Sequence, residues 1–181
     1  IGTAAYDSSD TENDNLAIGY NAMTTNGAGA EKNVAIGNYV MDAAITGDGN
    51  IGVGYNALSA NLGGYQNTAV GLQAMLANTT GHNNSAYGTE ALDANTTGVK
   101  NTAIGKSALG GNTTADGNTA VGFEALYANT TGTRNLAIGY QAYDASDTEN
   151  DNIAIGYQAM TTDTAGGSSN LAIGNYALDA L

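Results

Sequence analysis

The stretch Asn101-Thr102-Ala103-Ile104-Gly105 is one of ten near-copies of a five-residue phrase, Asn-x-Ala-Ile-Gly, that return along the chain at almost constant spacing. Successive copies are 17 residues apart, except that the steps into the second and the last copies are one residue longer. The Asn residues of the ten copies are Asn15, Asn33, Asn50, Asn67, Asn84, Asn101, Asn118, Asn135, Asn152 and Asn170. A short fixed period is typical of units that cannot bury an apolar face alone and must stack on their neighbours. The sequence therefore predicts a solenoid.

The composition favours a thin, repetitive core. The 181 residues include no Trp, one Phe and 26 Gly, and the apolar residues are largely Ala with single Ile, Val, Leu or Met. Pro is absent, which fits stacked strands because each Pro would remove a ladder hydrogen bond. The chain has no Cys, which excludes disulfides and thiolate metal sites.

Counting each repeat from its Asn as position 1 gives two short apolar runs per repeat. Position 3 is Ala and position 4 is Ile or Val in nine of ten copies, and position 5 is always Gly. A second run surrounds positions 8 and 9. Both runs are too short for stable helices, and we interpret them as strands. The prediction is an all-β parallel β-solenoid, or β-roll, with coils of 17 residues, two short strands per coil, and corners at the Gly of positions 5 and 15.

A longer repeat overlies the short one. Residues 1–44 match residues 138–181 at 30 of 44 positions, so the pattern returns after eight coils. We predict one repeat array over residues 1–181, about eleven coils without a domain boundary, as a window of a longer fibre.

Both faces of the first strand carry a constraint. Alternation places positions 2 and 4 on one face and position 3 on the other. One face is bulky and apolar while the other is Ala, so we expect burial on both sides and a symmetric oligomer as the partner. The Asn at position 1 is expected to stack from coil to coil as an amide ladder.

The charge excludes some partners and activities. The net charge is −13, with only Lys32, Lys100, Lys106 and Arg134 as cations, so a nucleic-acid partner is not expected. No apolar run reaches the length of a membrane span. His82 is the only His and lacks a nucleophile at recognisable spacing, so we do not expect an enzyme.

The Ala-Ile-Gly core, as in Asn15-Leu16-Ala17-Ile18-Gly19 and Asn101-Thr102-Ala103-Ile104-Gly105, resembles the head repeat of trimeric autotransporter adhesins, the YadA-like head. Related repeats occur in phage tail fibres. The repeat here is longer than is usual in that family, with the additional residues in the Thr-Thr-Gly turn. The resemblance implies a left-handed β-roll, a homotrimer with three rolls around one axis, and display outside a bacterial cell or on a virion.

Acidic residues concentrate in two turns that are copies of each other. They are Asp7, Asp10, Glu12 and Asp14, and Asp144, Asp147, Glu149 and Asp151. One interpretation is a solvated turn and the other is a Ca²⁺ site, since Ca²⁺ takes six to eight oxygen ligands. Calcium is the only cofactor that the sequence suggests.

Four successive coils carry an Asn-Thr-Thr turn. Its Asn residues, Asn78, Asn95, Asn112 and Asn129, are formal acceptors for N-glycosylation. They also suit a turn, because Asn and Thr side chains bond to nearby backbone. A Thr array for ice binding is the third alternative.

Position 6 carries an aromatic residue in five coils: Tyr20, Tyr55, Phe123, Tyr140 and Tyr157. Tyr140 and Tyr157 are one coil apart and are expected to stack. Such rings either cover a seam between subunits or bind glycans by ring stacking.

These observations favour an extracellular fibre segment, an adhesin that attaches to cell-surface or glycan receptors by many weak contacts on a trimeric rod. The alternatives are a purely structural shaft, of a phage tail fibre or a biofilm filament, and an ice-binding solenoid. The expected partners are further copies of the chain, as a homotrimer or filament, and a cell-surface or glycan receptor.

Overall fold

The computed structural model describes residues 1–6, 14–25, 29–145, 148–161 and 167–179. In it, each Asn-x-Ala-Ile-Gly phrase forms one strand of three residues. The strands are β1 (Leu16–Ile18), β2 (Val34–Ile36), β3 (Ile51–Val53), β4 (Thr68–Val70), β5 (Ser85–Tyr87), β6 (Thr102–Ile104), β7 (Thr119–Val121), β8 (Leu136–Ile138), β9 (Ile153–Ile155) and β10 (Leu171–Ile173). They form a single ten-stranded sheet in sequence order.

All strand pairs are parallel, and residues at the same repeat position lie opposite each other in every pair, as Ala103 and Ala120 do. This register confirms both the all-β parallel solenoid and the coil length that the sequence predicts. No helix occurs in the described ranges, so none of them contains a helix long and apolar enough to cross a membrane.

The small face of each strand points inward. Ala at position 3 is fully buried in seven strands and nearly so in β1 and β10, whereas positions 2 and 4 are half-buried or exposed. At position 3, which lies opposite position 8, the interior is too narrow for a side chain larger than that of Ala. The one Gly at position 3, Gly52, demonstrates this, because a Cβ there would lie 2.6 Å from Val40 Cγ1. Val40 is the one residue at position 8 that is not Ala, so the two exceptions compensate each other in volume.

The prediction of two strands per coil is wrong, because the second apolar run is a series of turns. Positions 7 and 9 adopt left-handed backbone conformations, with φ of 56° at Gln73 and 52° at Met75. Each such residue costs about 1–2 kcal/mol relative to the right-handed region. The backbone N–H groups nevertheless bond to adjacent coils, from Gln73 to Tyr55 O at 2.8 Å and from Met75 to Ala91 O at 3.0 Å. Hydrogen bonds between adjacent coils, like those of a sheet, are therefore kept although the backbone is not extended. The Met75 side chain is buried in the core.

The Gly at position 5 has two reasons to be invariant. At Gly105 the backbone φ is 135°, a region that side chains rarely adopt. A Cβ on Gly105 would also lie 2.3 Å from the carbonyl oxygen of Gly122 in the next coil. The corner at Gly81, at position 15, is tight for steric reasons alone, since a Cβ there would lie 2.4 Å from Asn78 Oδ1 and 2.6 Å from Gly98 O of the next coil.

The amide ladder predicted at position 1 is present along the described coils. Asn118 is typical: its Oδ1 accepts the backbone N–H of Asn135 at 2.8 Å, and its Nδ2 donates to Gly132 O at 2.7 Å. Each Asn thus joins the start of its own strand to the start of the next strand and to the corner at position 15 of its own repeat. Most of these side chains are fully buried, so the ladder satisfies backbone groups that water cannot reach.

Candidate interaction surface

The outer face of the sheet, formed by positions 2 and 4 of β1–β10, exposes large apolar side chains along its whole length. Its exposed members include Leu16, Ile51, Tyr87, Ile104, Ile138, Ile153, Leu171 and Ile173. Position 2 is aliphatic at both ends of the sheet and hydroxylated in the middle, where it is Thr68, Ser85, Thr102 and Thr119. Neither position carries a charge in any of the ten strands, although the chain has a net charge of −13. An uncharged face with exposed apolar side chains over this length is a candidate interaction surface.

The aromatic residues at position 6 border this face. Tyr140 and Tyr157 stack as predicted, with centroids 5.2 Å apart and planes at 9°. Phe123 stacks on Tyr140 at 5.1 Å and 10°, and Lys106 Nζ lies 5.9 Å from the Phe123 centroid. Because each ring covers the face of the next, the inner rings present edges and not faces to solvent. Sugars stack on ring faces, so this geometry supports a seam better than a glycan platform.

Two residues at position 7 extend the aromatic rows, and the sequence did not single them out. Tyr39 lies edge-on between Tyr20 and Tyr55, at 5.4 Å and 5.8 Å. Tyr176 contacts Tyr157 in the same way at 5.4 Å. Both follow an Asn at position 6, which is the signal that could have identified them.

The acidic turns are only partly within the described residues; Asp7, Asp10, Glu12 and Asp147 lie outside them. The other acidic residues differ in their exposure and in their hydrogen-bond partners. Asp14 is exposed, whereas Glu149 is buried and accepts hydrogen bonds from the backbone N–H and Oγ1 of Thr148. Asp151 binds Arg134, with Nε to Oδ1 at 2.6 Å and Nη2 to Oδ2 at 2.8 Å. This hydrogen bond lowers the pKa of Asp151.

Within the described ranges, no group of three or more Asp, Glu or His side chains is arranged to hold a metal ion. A calcium site remains a prediction, since half of its proposed ligands lie outside those ranges. Measuring the melting temperature with added Ca²⁺ and with EDTA tests it.

Asp144 belongs to a different row, at position 10, together with Asp42 and Asp93. Burial raises the pKa of all three carboxyl groups, and hydrogen bonds from backbone oppose the shift. The charges of Glu124 and Asp179 raise the pKa of Asp144 further, and that of Glu90 does so for Asp93. These half-buried carboxylates destabilise the fold when they are ionised.

The four formal glycosylation acceptors form a second buried amide ladder. Asn78, Asn95, Asn112 and Asn129 are fully buried, as is Asn61 in the coil before them. Each Nδ2 donates to Oδ1 of the preceding Asn and to the carbonyl three residues on; for Asn95 these distances are 2.8 Å and 3.2 Å. A glycan would replace one of the two amide hydrogens and would need space beside a fully buried nitrogen, so this fold favours the turn interpretation of these residues over glycosylation. Recurrence of Asn at position 12 in five successive coils was the available signal for the ladder.

The two Thr residues of each Asn-Thr-Thr turn take different environments. The first donates its hydroxyl along the coil axis, as Thr96 Oγ1 does to Thr113 O at 3.0 Å. The second is exposed in all four coils, at Thr80, Thr97, Thr114 and Thr131. A second row would need Thr two positions after each of these residues. Those positions instead carry four different residue types: His82, Val99, Asp116 and Thr133. A flat two-row Thr array for ice binding therefore has only one of its rows.

The sole His stands outside the interaction surface. Its ring stacks on Tyr65 with centroids 4.4 Å apart and planes at 13°.

Comparison with protein-family models, with curated proteins and with solved structures finds no match to this chain.

Proposed function

We propose that this chain is a segment of an extracellular fibre in which three parallel copies associate through the outer face of the sheet. The observation that carries the proposal is the uncharged apolar surface of positions 2 and 4 on a chain of net charge −13. Copies with this charge repel one another wherever their acidic surfaces meet, and the outer face is where they can approach. A different protein that bound such a chain would be expected to use its charge. A second copy is therefore the occupant that fits.

The strand face alone is smaller than a stable interface. Ten strands spaced about 4.8 Å apart extend about 43 Å, and positions 2 to 4 are about 7 Å wide, for a projected area of about 300 Å². Side-chain relief and the aromatic residues at positions 6 and 7 add to the area that two copies can bury. Stable interfaces bury about 800 Å² per partner, so the proposed contact includes those aromatic rows as well as the strands. The number three comes from the resemblance to trimeric adhesin heads, which places three rolls around one axis.

The function proposed for the rod is attachment by many weak contacts. Its rows of identical side chains, such as the exposed Thr row, repeat on each copy and raise avidity without a strong single site. The purely structural shaft is the second candidate, and the stacking of Phe123, Tyr140 and Tyr157 favours it because the ring faces are covered.

Light scattering tests the association. A trimer has three times the chain mass of 18.1 kDa. We expect Ile104→Glu, on the outer face, to dissociate it, and the matched variant Thr97→Glu, exposed on another face with the same change in charge, to leave it intact. A monomeric wild-type chain would disprove the proposal.

Binding to cells and to a glycan array separates the two functions. If the rod attaches multivalently, the associated wild type binds at least about a hundredfold more tightly than dissociated Ile104→Glu. If the segment is a shaft, neither binds. Replacing Tyr140 and Tyr157 by Ala distinguishes a receptor site, where binding is lost at unchanged melting temperature, from a seam, where the melting temperature falls. Thermal hysteresis of ice growth would be required for the ice-binding alternative.

A further inference from the structure

The outer face has one irregular strand, β5, and its irregularity is self-complementary. Position 4 is Ile or Val in every strand except β5, where it is Tyr87. Position 2 of the same strand is Ser85, the smallest residue found at that position. The largest and the smallest side chains of the two rows thus occur side by side. The same compensation of volume occurs inside the fold at Gly52 and Val40.

Nothing within the described part of a single chain accounts for the pairing of Ser85 with Tyr87. The neighbours of Tyr87 in the sheet are Val70 and Ile104, and those of Ser85 are Thr68 and Thr102. Tyr87 is 44% exposed, above a row of shorter aliphatic side chains. Among the described residues its ring stacks on no other ring, and its hydroxyl has no hydrogen-bond partner. The ring is a protrusion from an otherwise even face, with a depression beside it.

We infer that Tyr87 of one copy seats over Ser85 of the adjacent copy and thereby fixes the axial register of the assembly. The inference rests on the proposed self-association. Copies related by rotation about an axis parallel to the rod each supply one protrusion and one depression at the same height. Such a contact repeats around the axis and closes.

The position-4 row needs such a device, because apart from Tyr87 that row is nearly uniform along the rod. Position 4 is otherwise Ile or Val throughout, so sliding one copy by a single coil, about 4.8 Å, exchanges similar side chains for one another. At Tyr87 the same slide places the ring against Thr68 or Thr102, where β-branched side chains fill the depression. The slipped register is then opposed by steric overlap, which is how uniform interfaces are made specific.

Two variants test the contact through the dissociation constant measured by sedimentation. Ser85→Leu fills the depression and is expected to weaken association at least tenfold. The double variant Ser85→Leu/Tyr87→Val is expected to recover most of that loss, because β5 then carries aliphatic residues at both positions, as β8 does, without the protruding ring. Circular dichroism of each variant below its dissociation constant checks that the single chains stay folded. Equal affinity for wild type and Ser85→Leu would overturn the inference.

Register is read separately by a spin label on Cys introduced at exposed Thr131, since the chain has no native Cys. In-register copies give one narrow label-to-label distance. Ser85→Thr/Tyr87→Val, which makes β5 like β4, is expected to broaden the distribution and add longer distances, whereas the control Tyr65→Val is not. An unchanged distribution in the β5 variant would overturn the register role alone. A monomeric wild-type chain would overturn both this inference and the proposed function.

Discussion

Replacing Asn95 by Ala is expected to destabilise the chain by about 2–6 kcal/mol, because two buried polar groups lose their partners. The residue lies in a polar turn, yet it is fully buried and makes three side-chain hydrogen bonds. Its Nδ2 donates to Asn78 Oδ1 and Gly98 O, and its Oδ1 accepts from Asn112 Nδ2 at 2.8 Å. The side chain is one rung in the middle of the second amide ladder.

The magnitude follows from which groups lose their partners. Gly98 O keeps the hydrogen bond from Asn84 Nδ2 at 2.9 Å. Asn78 Oδ1 loses its donor, and Asn112 Nδ2 retains only Ala115 O at 3.3 Å. One buried acceptor and one amide hydrogen are therefore left unsatisfied. Each such group costs about 1–3 kcal/mol, which gives the range above before any contribution from the cavity.

Urea unfolding followed by circular dichroism measures this loss, with all variants at one protein concentration because association raises apparent stability. Thr97→Ala is the matched control: it is in the same turn, two residues away, but its side chain is exposed. We expect the control to fall within about 0.5 kcal/mol of the wild type. A loss below about 1 kcal/mol for Asn95→Ala, or one equal to that of the control, would refute the ladder as a source of stability.

Three further perturbations have defined outcomes. Gly105→Ala should lower the free energy of unfolding by several kcal/mol, because φ there is 135° and the added Cβ would overlap the next coil. Gly117→Ala is the control and should cost less, because its Cβ would lie 3.8 Å from the nearest atom, Arg134 Cγ, outside its chain neighbours. Calorimetry measures both variants. Tyr143→Phe removes a buried hydroxyl that accepts from Asn152 Nδ2 at 2.5 Å, and urea unfolding should record a loss of about 1–3 kcal/mol. Burial raises the pKa of Asp93, so the stability associated with its protonated form is complete below the usual value of 3.8 and is lost as pH rises through the raised value. Melting temperatures of Asp93→Asn and wild type should therefore agree at low pH and diverge toward neutral pH, with the variant higher; a constant difference would contradict the sign.

The two core Tyr residues at position 9 both supply a polar hydroxyl in coils that lack Asn at position 12. Position 12 is Asn from Asn61 to Asn129, and Asn129 Oδ1 has no hydrogen-bond partner among the described residues. In the next coil, the position-9 residue Tyr143 supplies a hydroxyl to Asn152. Tyr6 makes the corresponding bond to Asn15 Nδ2 at 2.9 Å. In both coils a core hydroxyl accepts a hydrogen bond from the position-1 Asn of the following repeat, and for Tyr143 this occurs in the coil directly after the ladder ends.

The sequence by itself determined the solenoid, its period and the first amide ladder, because vertical stacking places equal repeat positions on top of one another whatever the path of each coil. It also determined the invariance of Gly at position 5. Recurrence alone could not tell which face of a strand is internal, since alternation relates positions 3 and 4 without saying which is inside.

Only the tertiary structure decided that Ala faces the core and that Ile, Val and Tyr87 face outward. The interior between adjacent walls admits a methyl group at position 3 and little more, as the contact between Gly52 and Val40 demonstrates. The second run became a set of left-handed turns against the preference of Met and Leu, because those turns keep hydrogen bonds to both neighbouring coils. Burial of the Asn-Thr-Thr amides has the same origin: their partners are one full repeat away in the sequence and meet only when the coils stack.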